Sequence, residues 1–208
     1  MIRNEAREPV TLLAAVSLFL LASGFDPVAD RYTWFLETVP VMIGIAILVP
    51  SYRAFTLTPL LYRLLALHAL ILMIGGHYTY AEVPLFNWLR DTLELSRNHY
   101  DRVGHLAQGF IPAILAREIL LRRSPLLQGK WLFLVVTSIC LAFSAFYEMI
   151  EWWTALLSEE AAEAFLGTQG DHWDTQWDMF LALIGAISAQ LMLNRVHDRQ
   201  LEPHLKEN

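Results

Sequence analysis

The sequence predicts an all-α polytopic membrane protein: one integral membrane domain over 1–208, built as a bundle of about six transmembrane helices with both termini cytoplasmic. Three observations predict it. First, 55% of the 208 residues are hydrophobic, the mean hydropathy is +0.39, and 17% are charged, against about 25% in a soluble domain. Second, the apolar residues fall into six blocks, each near the ~20 residues that cross ~30 Å of hydrocarbon. Third, the basic residues gather in alternate connections, as the positive-inside rule requires of a chain that crosses repeatedly.

The first block, 9–25, follows Arg3 and Arg7 and ends Ala22-Ser23-Gly24, a pattern shared with secretory signals. Further spans follow it and the chain begins at Met1, so it reads as an internal membrane helix. Blocks 34–50 and 59–76 are joined by a short connection. The longer segment 77–97 places Tyr78, Tyr80, Phe86 and Trp88 around Pro84, a composition suited to a re-entrant or interfacial segment. Blocks 98–121, 131–153 and 177–194 complete the set. Between the last two, 158–165 reads as a short acidic surface helix with Ser158 as its N-cap, followed by a polar turn over 167–171. Cys140 lies mid-span and is the sole cysteine, which excludes an intrachain disulfide and a cysteine metal site and leaves a buried thiol. No repeat, low-complexity segment or soluble domain interrupts this pattern.

Arg3, Arg7, Arg53, Arg63, Arg117, Arg122, Arg123, Lys130, Arg195, Arg199 and Lys206 occupy the N-terminus, alternate connections and the C-terminus, which are therefore cytoplasmic. Among them, Arg117, Arg122 and Arg123 read as topology determinants at the inner surface. The opposite connections hold Asp26, Asp30, Glu82, Asp91, Glu94, Glu159, Glu160, Glu163, Asp171 and Asp174 and face outward. A net charge of −6 argues against nucleic acid as a partner, and the expected medium is the lipid bilayer.

Ionisable residues recur at the outward ends of the last three blocks. Asp101 and His105 are four apart and Glu148 and Glu151 three apart, so each pair shares a helix face, and Asp171, Asp174 and Asp178 form a stripe. Charge facing lipid is costly, so these groups are expected to face one another. Crowded there, they share protons, recruit Arg or His, or bind a cation. Asp101, His105, Glu148, Glu151, Asp174 and Asp178 are candidates for an acid/base centre. Asp101, His105, Glu148, Glu151 and Asp178 are equally candidates for a site holding Mg²⁺, Mn²⁺ or Zn²⁺, since carboxylate with imidazole suits such ions on facing helices. Helix capping explains Asp101, which stands three residues after Asn98, and Asp174 as well as a site does. It fails for Glu148 and Glu151, which lie where the helix dipole disfavours anions. His77, after Gly75-Gly76, is a further member or a hydrogen-bonded interfacial histidine. Trp152, Trp153, Trp173 and Trp177 read as an interfacial belt, with a carbohydrate or headgroup platform as the alternative.

The stretches Gly75-Gly76-His77-Tyr78-Thr79-Tyr80-Ala81-Glu82-Val83-Pro84, Asn98-His99-Tyr100-Asp101-Arg102-Val103-Gly104-His105, Glu148-x-x-Glu151-Trp152 and Trp173-Asp174-x-Gln176-x-Asp178 resemble the YjdF family of bacterial inner-membrane proteins, of unknown function. The resemblance implies a place in the bacterial inner (plasma) membrane and names no chemistry. More distantly, Asp101-Arg102-x-x-His105, Glu148-x-x-Glu151 and Asp178-x-x-x-Ala182-x-x-Gly185 are similar to VanZ-like membrane proteins, associated with glycopeptide-antibiotic tolerance. Glu151 stands where that group has Gln, and Ala182 where it has Asn. Three functional readings follow: an enzyme acting at the outer leaflet on a lipid or cell-envelope intermediate, which leads; a non-catalytic membrane scaffold; and an ion- or proton-coupled transporter.

Overall fold

In lipid every backbone N–H and C=O must find a partner within its own segment, which long apolar runs achieve as helices. The computed structural model describes residues 7–157 and 168–206, and all regular structure among them is helical: α1 (Arg7–Ser23), α2 (Arg31–Ser51), α3 (Pro59–Tyr78), α4 (Pro84–Thr92), α5 (Tyr100–Arg123), α6 (Lys130–Leu157) and α7 (Asp174–Lys206). The expected surface helix at 158–165 lies outside the described residues.

Four helices, α2, α3, α6 and α7, are long and apolar enough to cross a membrane, where the sequence led us to expect about six spans. The remaining two blocks form helices that differ from those four. α1 has 17 residues, and α5 carries Asp101, Arg102, Arg117, Glu118, Arg122 and Arg123. The polarity of α5 follows from its place: Asp101, His105, Arg117 and Glu118 are buried against other helices rather than displayed outward.

Helix ends moved for local reasons. α2 begins at Arg31, before the expected 34, because Asp30 caps it, accepting from Tyr32 N at 2.7 Å and Thr33 N at 3.0 Å. The segment 77–97 contains α4, opened by Pro84 at a first-turn position that needs no N–H. α7 continues past the expected 194 to Lys206, because His197 and Leu201 are buried and keep the last turns packed.

α1 and α2 pack on α3, α3 packs on α5, and α6 packs on both α5 and α7. The closest association is between α5 and α7. A Cβ at Gly109 would overlap the carbonyl of Ala182, and one at Gly185 would overlap the carbonyl of Leu106. Small residues at such spacings let two backbones approach closely, the usual means of helix association in lipid. Behind this seam, Leu61, Ala113, Ile114, Leu132, Val136, Cys140, Ala186 and Ala189 form a buried apolar layer, in which the free thiol of Cys140 sits as expected.

The two ends of the bundle are tied differently. At one, Ala29 N donates to His77 O at 3.0 Å, and His77 Nδ1 contacts Ser23 O at 2.8 Å. At the other, Arg63 pairs with Glu8, and Glu118 is enclosed by donors: Thr58 Oγ1 at 2.8 Å, Arg122 Nη1 at 2.8 Å and His197 Nε2 at 3.0 Å. Arg117 bonds His197 Nδ1 at 2.8 Å and pairs with Asp198 at 2.6 Å. Arg117 and Arg122 are thus buried network members, whereas sequence reasoning made them surface determinants; Arg123 alone of the three is exposed.

Candidate metal centre

His105 stands one turn after Asp101 on α5, and the close α5–α7 approach brings Asp178 against both. Its Nε2 lies 3.5 Å from Asp101 Oδ1 and 4.0 Å from Asp178 Oδ1. From α6, Glu148 Oε1 reaches within 3.8 Å of His105 Nδ1, and Glu151 is buried one turn further along that helix. One ligand atom each from Asp101, His105 and Asp178 lies within 4.8 Å of the others. Ligands held at about 2.0–2.6 Å from a common ion fall within such mutual distances.

The histidine is oriented for this. Gln108 Oε1 lies 2.9 Å from Nδ1, so Nδ1–H donates to it and Nε2 faces Asp101 and Asp178. Fixing the tautomer through the other ring nitrogen is the usual outer-shell arrangement of a histidine ligand. The carboxylates are left with unmet capacity. Asp101 Oδ2, Glu148 Oε1 and Asp178 Oδ1 are buried without a hydrogen-bond partner, on residues only 7%, 8% and 3% exposed. Buried polar atoms are nearly always satisfied, so three such oxygens around one imidazole mark a place suited to a cation. Glu118 at the opposite end offers the contrast, because both of its oxygens have donors.

The other expected residues fall nearby in different roles. Asp174 pairs with Arg97, which also lies 3.5 Å from Asp101 Oδ2 and 3.6 Å from Asp171 Oδ2. Asp171 accepts from Trp173 N at 2.9 Å and from Arg102 Nη2 at 2.7 Å. The hydrogen bond from Trp173 N–H, with the charges of Arg102 and Arg97, holds the Asp171 carboxyl below the ordinary carboxylate range. The capping account of Asp101 gives way: Asn98 Oδ1 accepts Tyr100 N at 3.0 Å, and Asp101 turns to Arg97 and His105. His77 stays at the α1–α2 corner, outside the cluster. Trp152, Trp153, Trp173 and Trp177 are all exposed.

Sequence reasoning missed Glu37, Tyr147, Gln108 and Arg97. Glu37 is buried on α2, where Tyr147 Oη donates to it at 3.4 Å, and the Tyr147 ring meets His105 edge-on at 6.3 Å. Its signal was present as a lone acid inside the apolar block 34–50, which calls for a polar partner. Gln108 was legible as the residue one turn after His105.

Residues 8–199 match the family described as "Predicted membrane protein (DUF2238)". The chain belongs to this family. It is similar to the inner membrane protein YjdF of Escherichia coli (strain K12), with 48% identity over 191 residues that cover 92% of this chain and 91% of that protein. No solved structure matches it. Membership, with four helices apolar enough to span, makes the chain an integral protein of the bacterial inner membrane, in agreement with the resemblance read from its motifs.

Proposed function

We propose that this DUF2238 protein is an outward-facing, metal-dependent enzyme of the inner membrane that acts on a lipid or cell-envelope intermediate. Asp101, His105 and Asp178 hold a divalent cation, with Glu148 and Glu151 beside it as further ligands or as the base that takes a proton from a metal-bound water. The carrying observation is the set of buried oxygens on Asp101, Glu148 and Asp178 that have no hydrogen bond and gather about the His105 ring. In this reading α1 and α5 also cross, giving six spans with both termini cytoplasmic, and the cluster opens toward the outer headgroups.

Two features favour this reading over the alternatives. A scaffold network is expected to satisfy its carboxylates, as it does both oxygens of Glu118, and the Asp101–His105–Asp178 group leaves carboxylate oxygens without a hydrogen bond. A transporter needs a polar route between the ends. Along the α5–α7 seam the backbones touch at Gly109 and Gly185, and Ile111, Ala113, Ile114, Ala186 and Ala189 fill the space beyond.

Metal analysis of the purified full chain tests the proposal, with His105→Ala and Glu148→Ala assayed beside it for envelope phenotype. The proposal expects bound divalent metal in the parent, loss of metal in His105→Ala, and an envelope defect in both variants. Unchanged metal content and unchanged phenotype in both would sink it.

A further inference from the structure

Beside the candidate metal centre, a cavity of about 380 Å³ is lined by Ser96, Arg97, His99, Arg102, Gln169, Gly170, Asp171 and Trp177. Two guanidinium groups converge here. Arg97 is deeply buried and braced by Asp174 and Asp101, so it is the member that joins the cavity to the metal ligands. The Arg102 side chain is 23% exposed and lies over the ring of Trp177, 5.2 Å from its centroid. Both reach the same oxygen: Asp171 Oδ2 is 2.7 Å from Arg102 Nη2 and 3.6 Å from Arg97 Nη1. That carboxylate comes from the polar turn before α7 and is itself only partly buried. The position of Asp171 Oδ2 therefore marks where an anionic oxygen is held by two arginines at the mouth of the site.

We propose that this mouth binds a phosphate group of the substrate, one phosphate oxygen taking the place Asp171 Oδ2 holds here, so that the substrate is a phosphate ester presented to the Asp101–His105–Asp178 centre. The inference rests on the metal-centre reading for its catalytic meaning, while the binding itself is separable from it. Forked guanidinium donors match the oxygens of phosphate, which carries more charge and more acceptors than the single carboxylate it displaces. Asp171 is then an internal counter-ion that orders the arginines and yields to the ligand.

The test titrates the full chain in phosphatidylcholine nanodiscs with inorganic phosphate, with glycerol 3-phosphate and, in a second set of discs, with phosphatidic acid added to the bilayer. The change in intrinsic tryptophan fluorescence that is lost in Trp177→Phe, together with the ³¹P signal of the added ligand, reports binding, and manganese binding is measured on the same samples. Removing one charged hydrogen-bond donor weakens binding by about tenfold or more, so Arg102→Gln is expected to lose at least that. Arg102→Lys, which keeps the charge and loses the fork, falls between the two. Asp171→Asn removes the competing anion and is expected to bind phosphate more tightly than the parent; it leaves the arginines in place and serves if Arg102→Gln does not fold. Response to phosphatidic acid above that to glycerol 3-phosphate assigns a lipid headgroup, and the reverse assigns a soluble ester; either supports the proposal. Equal, weak responses in the parent, Arg102→Gln and Asp171→Asn overturn it. If manganese still binds in that case, the metal centre stands without the phosphate mouth; if neither binds, both readings fall.

Discussion

Gln108 accepts from His105 Nδ1 and so decides which ring nitrogen faces Asp101 and Asp178. Replacing it with Ala frees the imidazole to turn or change tautomer. Loss of such an outer-shell partner lowers metal affinity by about 10–100-fold, and Gln108→Ala is expected to show this in manganese titration with an unchanged unfolding temperature. A weaker but cleaner effect belongs to Asp30. Its carboxyl is held below its ordinary value first by the Thr33 hydroxyl and then by the backbone N–H groups of Thr33 and Tyr32. Because the folded value is depressed, this contribution is complete above the ordinary carboxylate value and is lost as pH falls through the depressed one. Asp30→Ala should cost about 1 kcal/mol at neutral pH, and thermal unfolding should show the gap between variant and parent closing in acid. Residue spacing made Asp101, His105, Glu148, Glu151 and Asp178 legible before any coordinates, since helical periodicity alone puts each pair on one face. Arg97 was not legible in the same way. Its partners Asp171 and Asp174 lie more than seventy positions on, and only the fold brings them together.

At the scale of elements, two contacts hold α5 and α7 in register for the site. Gly109 and Gly185 admit no side chain, because Ala182 and Leu106 carbonyls occupy that space. Gly109→Val is expected to destabilise by about 1–3 kcal/mol through overpacking, and to lower metal affinity as well by moving Asp178 away from His105. Thermal unfolding and metal titration of one variant check both effects. At the other end, Glu118 ties the start of α3 to α5 and α7 through Thr58, Arg122 and His197. Glu118→Ala leaves buried donors and a cation without their acceptor and should cost about 3–5 kcal/mol, with metal binding retained in whatever fraction stays folded. The apolar blocks announced most helices, yet the end of α7 did not follow from them. Its last turns are polar in sequence and are held by the burial of His197 and Leu201, which hydropathy does not register. Likewise α5 reads as a modest span, since its polar groups are directed into the protein.

Across the whole molecule, the described residues place two buried polar groups at opposite ends of an apolar layer, and the two differ in kind. In the group around Glu118 both oxygens of that carboxylate have donors, and the bonds tie the start of α3 to α5 and α7. In the group around His105, Asp101 Oδ2, Glu148 Oε1 and Asp178 Oδ1 have no hydrogen bond and meet Arg97 or His105 only at 3.5, 3.8 and 4.0 Å, beside a cavity lined by Arg97 and Arg102. That difference is the ground on which we propose chemistry at the His105 end. The most direct measurement is divalent-metal binding by the full chain in nanodiscs, comparing parent, Asp178→Asn and Glu118→Gln, each with folding verified by its unfolding temperature. The account predicts one tightly bound ion per chain in the parent and in Glu118→Gln, and its loss in Asp178→Asn. A folded parent that takes up none of Mg²⁺, Mn²⁺ or Zn²⁺, or an Asp178→Asn variant that binds as the parent does, would contradict it.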